Sequence, residues 1–146
     1  GGGPSLDELR ALNETMNLTD YVEFPGRVSD EFLADVLNTA DVCVNPDLPS
    51  EMNDKSTMNK IMEYMAFGKP IVQFTLKEGK FSAQEASLYA TNTDTNDFAD
   101  KILWLLDHPE KSAEMGAFGR KRVQNELSWD FEKPKLICAY KKILGM

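Results

Sequence analysis

The chain holds 146 residues, 42% of them hydrophobic and 27% charged, which suits one globular domain with a sizeable core. Its net charge of −8 argues against a nucleic-acid partner, which demands a basic stripe, but leaves room for a small phosphorylated ligand held by local donors. No apolar run approaches the ~18–20 residues that span a bilayer, no signal peptide is expected, and Cys43 and Cys138 lack metal or redox spacing.

Short apolar runs alternate with amphipathic segments, which predicts an α/β fold: a Rossmann-like parallel sheet with helices on both faces. Gly1-Gly2-Gly3-Pro4 predicts a tight turn opening a helix over residues 5–16, with Asp7 and Glu8 where the helix dipole favours them. Residues 21–24 predict a brief strand stopped by Pro25-Gly26. Ser29 is placed to cap a helix whose apolar face carries Phe32, Leu33, Val36 and Leu37. Residues 41–44 predict a buried strand, followed by the longest loop, residues 45–57. Met58, Ile61, Met62, Met65 and Ala66 then recur at helical spacing, a stripe that fits core packing rather than a cofactor box. Gly68 and Pro70 end that helix, and residues 71–74 form the next strand. A second loop is expected over residues 77–85, a weak strand at 88–90, and helices at about 96–106, 109–126 and 130–144. Both cysteines sit in apolar contexts and are expected to be buried reduced thiols, as in a cytoplasmic protein. Trp104 and Trp129 read as core residues, and His108 before Pro109 as a helix start.

In open parallel sheets, ligands sit at the carboxyl ends of strands, in the loops that lead to helices. Ser56-Thr57, opening a helix, offers backbone N–H groups and a positive dipole end to a diphosphate, with Lys55 and Lys60 adding charge. An ordinary helix start accounts for the same residues without any ligand. Glu63 lies on the flank of that helix above Asn59, and a carboxylate matches the paired hydroxyls of a ribose; a solvated helix Glu is the plainer alternative. With no metal-ligand cluster and no Gly-x-Gly-x-x-Gly fingerprint in the sequence, neither a metal nor a cofactor is expected.

Four ordered motifs carry a family resemblance. They are Pro25-Gly26-Arg27-Val28-Ser29-Asp30, Thr39-Ala40-Asp41-Val42, Ile61-Met62-Glu63-Tyr64-Met65-Ala66-Phe67-Gly68-Lys69-Pro70-Ile71-Val72, and Leu105-Leu106-Asp107 with Met115-Gly116 and Gly119-Arg120. Over nearly its whole length the chain resembles the C-terminal donor domain of family 4 glycosyltransferases. That resemblance implies the GT-B fold of two Rossmann-like domains, residues 1–146 being part of the second, and retaining transfer from a nucleotide-activated sugar. It implies that Glu63 is the second Glu of the donor signature and holds the ribose. By the same resemblance Ser56, Thr57 and Met58 give backbone N–H groups to the diphosphate, and the Arg27-Val28 loop holds the base through backbone atoms.

Two positions depart from the pattern. The first signature Glu, which contacts the donor sugar, is Lys55 here, a group with three donors and no acceptor. Either Asp54 or Glu51 supplies the missing carboxylate, or Lys55 turns to the diphosphate. Met58 stands where a Gly is common. The resemblance further implies that the first strand, first helix and most of the second strand precede residue 1. With them would go an Arg/Lys pair for the donor phosphates and the acceptor-binding N-terminal domain.

The expected partners are therefore the nucleotide-sugar donor and that N-terminal domain, with any peripheral membrane contact it makes. Bared strand edges at 21–24 and 41–44 would add chain–chain association. Two rivals stand beside this reading, a nucleotide-sugar epimerase of the same fold and a non-catalytic nucleotide-sugar-binding module. The catalytic residues, nucleotide, sugar and acceptor stay open.

Overall fold

The computed structural model describes residues 2–91 and 93–145 and is organised around a strand buried on both faces. This is β2 (Ile71–Phe74), whose four side chains are all buried. It lies between β1 (Cys43–Asn45) and β3 (Ser87–Ala90), parallel to both, with Val44 level with Val72 and Val72 level with Leu88. Alternation along β2 sorts the core into two layers. Ile71 packs with Ile61 and Met65 of α3 (Asn59–Ala66) and with Ala83 and Ala86. Val72 and Phe74 pack on the other face with Ala90 and with Phe98 and Leu105 of α5 (Thr95–Asp107). The expected α/β fold, a parallel sheet with helices on both faces, is present.

The chain divides into two units, one running through Val36 and one starting at Leu37. In the first, the Gly3 carbonyl accepts the Leu6 N–H at 3.1 Å and opens α1 (Leu6–Thr15). Ser29 Oγ accepts the Phe32 N–H at 3.2 Å and caps α2 (Asp30–Thr39), as its position suggested. Of Phe32, Leu33, Val36 and Leu37 on α2, Leu37 alone is buried.

In the second unit, α3 carries the expected stripe: Ile61 and Met65 are fully buried, and Met58 and Met62 pack against them. Gly68 takes a left-handed φ of +69°, where a side chain would be strained, and lets the chain turn back into β2. Arg120 of α6 (Pro109–Arg122) donates from Nη2 to the Phe67 carbonyl at 3.0 Å, a cation at the negative end of α3. On the same helix Gly116 lies so close to Gly68 that an added Cβ would overlap the Gly68 carbonyl. The Asp94 carboxylate accepts from the Asn96 and Asp97 N–H groups and caps α5. A π-helical segment, Val123–Leu127, leads to α7 (Trp129–Leu144), which buries none of its residues. No helix among the described residues is long and apolar enough to cross a membrane.

Several expectations need correction. Residues 21–24 form no strand: the Tyr21 and Val22 N–H groups both turn back to the Leu18 carbonyl at 2.9 Å, and the segment has no ladder partner among the described residues. Apolar alternation makes a strand only where a neighbour pairs with it. The expected loop at 77–85 is mostly helix, α4 (Lys77–Ala83) followed by a 3-10 turn, Gln84–Ala86. Lys77-Glu78-Gly79-Lys80 shows no apolar period, and Gly79 is small because a Cβ there would run into the Gln73 side chain. Cys43 is buried and its thiol is pushed up to about 11 by desolvation, against the pull of the Lys69 ammonium. Cys138 is exposed instead, because it rides on α7. Trp104 and Trp129 are 41% and 61% exposed rather than core, and Trp104 stacks on the His108 ring at 4.3 Å. His108 does sit at the junction of α5 and α6, ahead of Pro109 at the start of α6.

Candidate functional site

Where β1 ends at Asn45, the chain enters the loop that leads to α3, at the carboxyl edge of the sheet. A 3-10 turn, Asn53–Lys55, shapes its second half. Lys55 pairs with Glu51 at 2.6 Å, with both side chains largely exposed. Ser56 Oγ donates to the Met52 carbonyl at 2.6 Å, and Thr57 Oγ1 donates to Glu78 Oε2 at 3.1 Å. Met58 occupies the N-cap of α3, and no side chain caps that helix. The first N–H groups of an α-helix have no intrahelical acceptor, so this end keeps its donors and its partial positive charge for something else.

Charged side chains surround this helix start. Lys60, on the first turn of α3, pairs with Asp47 at 2.8 Å in a partly buried contact. Glu63 is exposed one position past the Met62 flank, and its carboxylate makes no hydrogen bond or ion pair among the described residues. Neither carboxylate considered for the signature position is free. Glu51 is held by Lys55, and Asp54 accepts the Lys77 N–H at 3.1 Å with Lys77 Nζ at 3.6 Å. A cleft of about 530 Å³ opens beside the loop, lined by Asp54, Leu76, Lys77 and Phe81 among others. Arg27 and Val28 belong to the first unit, where Arg27 is exposed and Val28 half-buried.

Beneath the loop, sequence reasoning missed a polar layer. Asn45 and Gln73 are register partners on β1 and β2, and both are fully buried. Both polar atoms of the Asn45 amide and Gln73 Oε1 lack partners among the described residues, while Gln73 Nε2 donates to the Gly79 carbonyl at 3.4 Å. A Gln inside the apolar run Ile71–Phe74 was the available signal.

Comparison with known proteins gives this geometry a family. Residues 1–108, most of the chain, match the family model described as glycosyl transferases group 1. The chain belongs to this family. Among the relatives of this group 1 glycosyl transferase chain is the GDP-mannose-dependent alpha-(1-6)-phosphatidylinositol monomannoside mannosyltransferase of Mycobacterium tuberculosis. The two are 28% identical over 140 residues, covering 93% of this chain and 36% of that protein. D-rhamnosyltransferase WbpZ of Pseudomonas aeruginosa is 28% identical over 127 residues, covering 85% of this chain and 32% of its own length. Among solved structures, sucrose-phosphate synthase from Thermosynechococcus elongatus superposes with a TM-score of 0.86 at 25% identity. That match takes in 99% of this chain and 37% of the synthase, so the fold is that of part of a GT-B glycosyltransferase. The group 1 chain thus spans about a third of the length of the curated relatives it matches.

Proposed function

We propose that this group 1 glycosyl transferase chain is the donor-binding part of a family 4 enzyme, with residues 1–146 forming part of its C-terminal domain. It seats a nucleotide-activated sugar for transfer, with retention of configuration, to an acceptor held by the rest of the protein in the cytoplasm. The start of α3 carries the proposal: a helix without a side-chain cap, following the carboxyl end of a parallel strand, with Lys55, Ser56 and Thr57 leading into it. A diphosphate placed there would meet the N–H groups of Thr57 and Met58 and the positive end of the helix, and would draw the Ser56 N–H away from the Asn53 carbonyl, which it reaches at 3.4 Å. The same donors would stabilise the charge that grows on the leaving diphosphate as the sugar departs.

Glu63, open on the same helix, accepts the ribose hydroxyls. The mycobacterial relative is named for GDP-mannose, which supports a nucleoside-diphosphate sugar as the donor class.

The test uses the whole protein, titrated with nucleotide sugars by calorimetry while released nucleoside diphosphate is followed. Glu63→Ala is expected to weaken donor binding by ~1.5–3 kcal/mol, the scale of a hydrogen bond to a charged group. Unchanged affinity removes Glu63 from the site. Lys55→Glu is expected to lower nucleoside-diphosphate affinity. One observation favours a second reading, a non-catalytic nucleotide-sugar-binding module: Lys55 stands where the donor signature has a Glu, and it pairs with Glu51. Tight donor binding with no release of nucleoside diphosphate in any acceptor mixture would select that reading.

A further inference from the structure

We infer that α4 is a clamp that sets the shape of the diphosphate-binding loop, with Glu78 and Asp54 as its positioning residues. The inference rests on the donor-site reading above.

Loop and helix are joined at two points. Asp54 Oδ1 accepts the Lys77 N–H at 3.1 Å, and Thr57 Oγ1 donates to Glu78 Oε2 at 3.1 Å. A single bond would leave the loop free to swing about it. Two bonds, from residues on either side of Lys55 and Ser56, fix both its place and its orientation.

A clamp works only if it is itself held, and α4 is held along its length. At its C-terminal end the buried Arg122 side chain of α6 donates from Nε to the Ser82 carbonyl at 2.9 Å and from Nη2 to the Phe81 carbonyl at 3.0 Å. That places a cation on the negative end of the helix dipole. Along its middle, the missing side chain of Gly79 lets α4 settle onto β2, where Gln73 Nε2 reaches the Gly79 carbonyl. The helix is therefore tied to α6 at one end and to the central strand at its middle. Its remaining free end is the one that grips the loop.

The chemistry of the grip fits positioning rather than contact with the ligand. An ionised Glu78 only accepts hydrogen bonds, and a diphosphate offers it none. What Glu78 does is hold the Thr57 hydroxyl, so that the Ser56-Thr57-Met58 backbone is ordered before a ligand arrives. Ordering in advance removes an entropic penalty from binding. Asp54 gives Oδ1 to the Lys77 N–H in the same grip.

The whole protein is tested with GDP and UDP by calorimetry, and with its sugar donor in steady-state kinetics. Glu78→Ala is expected to lower nucleoside-diphosphate affinity about tenfold and to raise the donor KM similarly, with kcat within about twofold. Glu78→Gln keeps an acceptor oxygen for Thr57 and is expected to stay within about twofold of the parent. Thr57→Val severs the same bond without touching α4, which keeps the inference testable if Glu78→Ala unfolds. The double variant is expected to be no worse than the poorer single one, because both act through one bond. Unchanged affinity in Glu78→Ala overturns the inference, as do equal losses in Glu78→Ala and Glu78→Gln or additive losses in the double variant. A parent protein that binds neither nucleotide overturns the donor-site reading, and the clamp falls with it.

Discussion

Cys43 and Cys138 sit in similar apolar stretches and end in opposite surroundings. Cys43 is level with Ile71 in the sheet, where desolvation pushes its thiol up to about 11, while Cys138 lies exposed on α7. Thiolate is the reactive form, so a neutral buried thiol is protected twice, by access and by charge. At pH 8 a maleimide is expected to modify Cys138 and spare Cys43 until denaturant is added. Equal labelling rates in the native protein would contradict the placement of β1. The Lys55–Glu51 pair teaches a related lesson about exposure. Ion pairs this open to solvent contribute roughly 0–1 kcal/mol, so a diphosphate can replace Glu51 against Lys55 with little loss.

Among the elements, those with a period in their side chains were legible and those defined by a partner were not. The stripe from Met58 to Met65 announced α3, and Ser29 announced the start of α2, because both signals lie within a few residues of the structure they specify. Helix α4 has no such signal; it exists because Gly79 fits against Gln73 and because Arg122, forty residues on from Ser82, caps its end. Residues 21–24 show the reverse, apolar residues without a paired neighbour and hence no strand. The cap of α5 is local and open to direct measurement. Asp94 accepts two N–H groups there, at 2.9 and 3.3 Å, and Asp94→Ala is expected to cost ~1 kcal/mol of unfolding free energy in urea titrations. A change below a few tenths would mean that water caps the helix equally well.

For the whole molecule, the fold class was readable from the alternation of strands and helices, and the family from the order of four motifs. The contacts that hold the site were not. Thr57 meets Glu78 across 21 residues and Asp54 meets Lys77 across 23, and no pattern within a segment encodes such a meeting. Gly116 of α6 and the Gly68 carbonyl, in the turn after α3, likewise meet across β2, α4, β3 and α5. Gly116→Ala, which forces the two backbones apart, is expected to destabilise by ~1–3 kcal/mol. If the docking of α6 follows the folding barrier, nearly all of that loss will appear as faster unfolding, with the refolding arm of the denaturant plot almost unmoved. A refolding rate that falls by the full amount would instead put α6 in the folding nucleus. On the first outcome, the missing side chain at position 116 serves chiefly to keep the finished molecule closed: it lengthens the lifetime of the native state without hastening its birth.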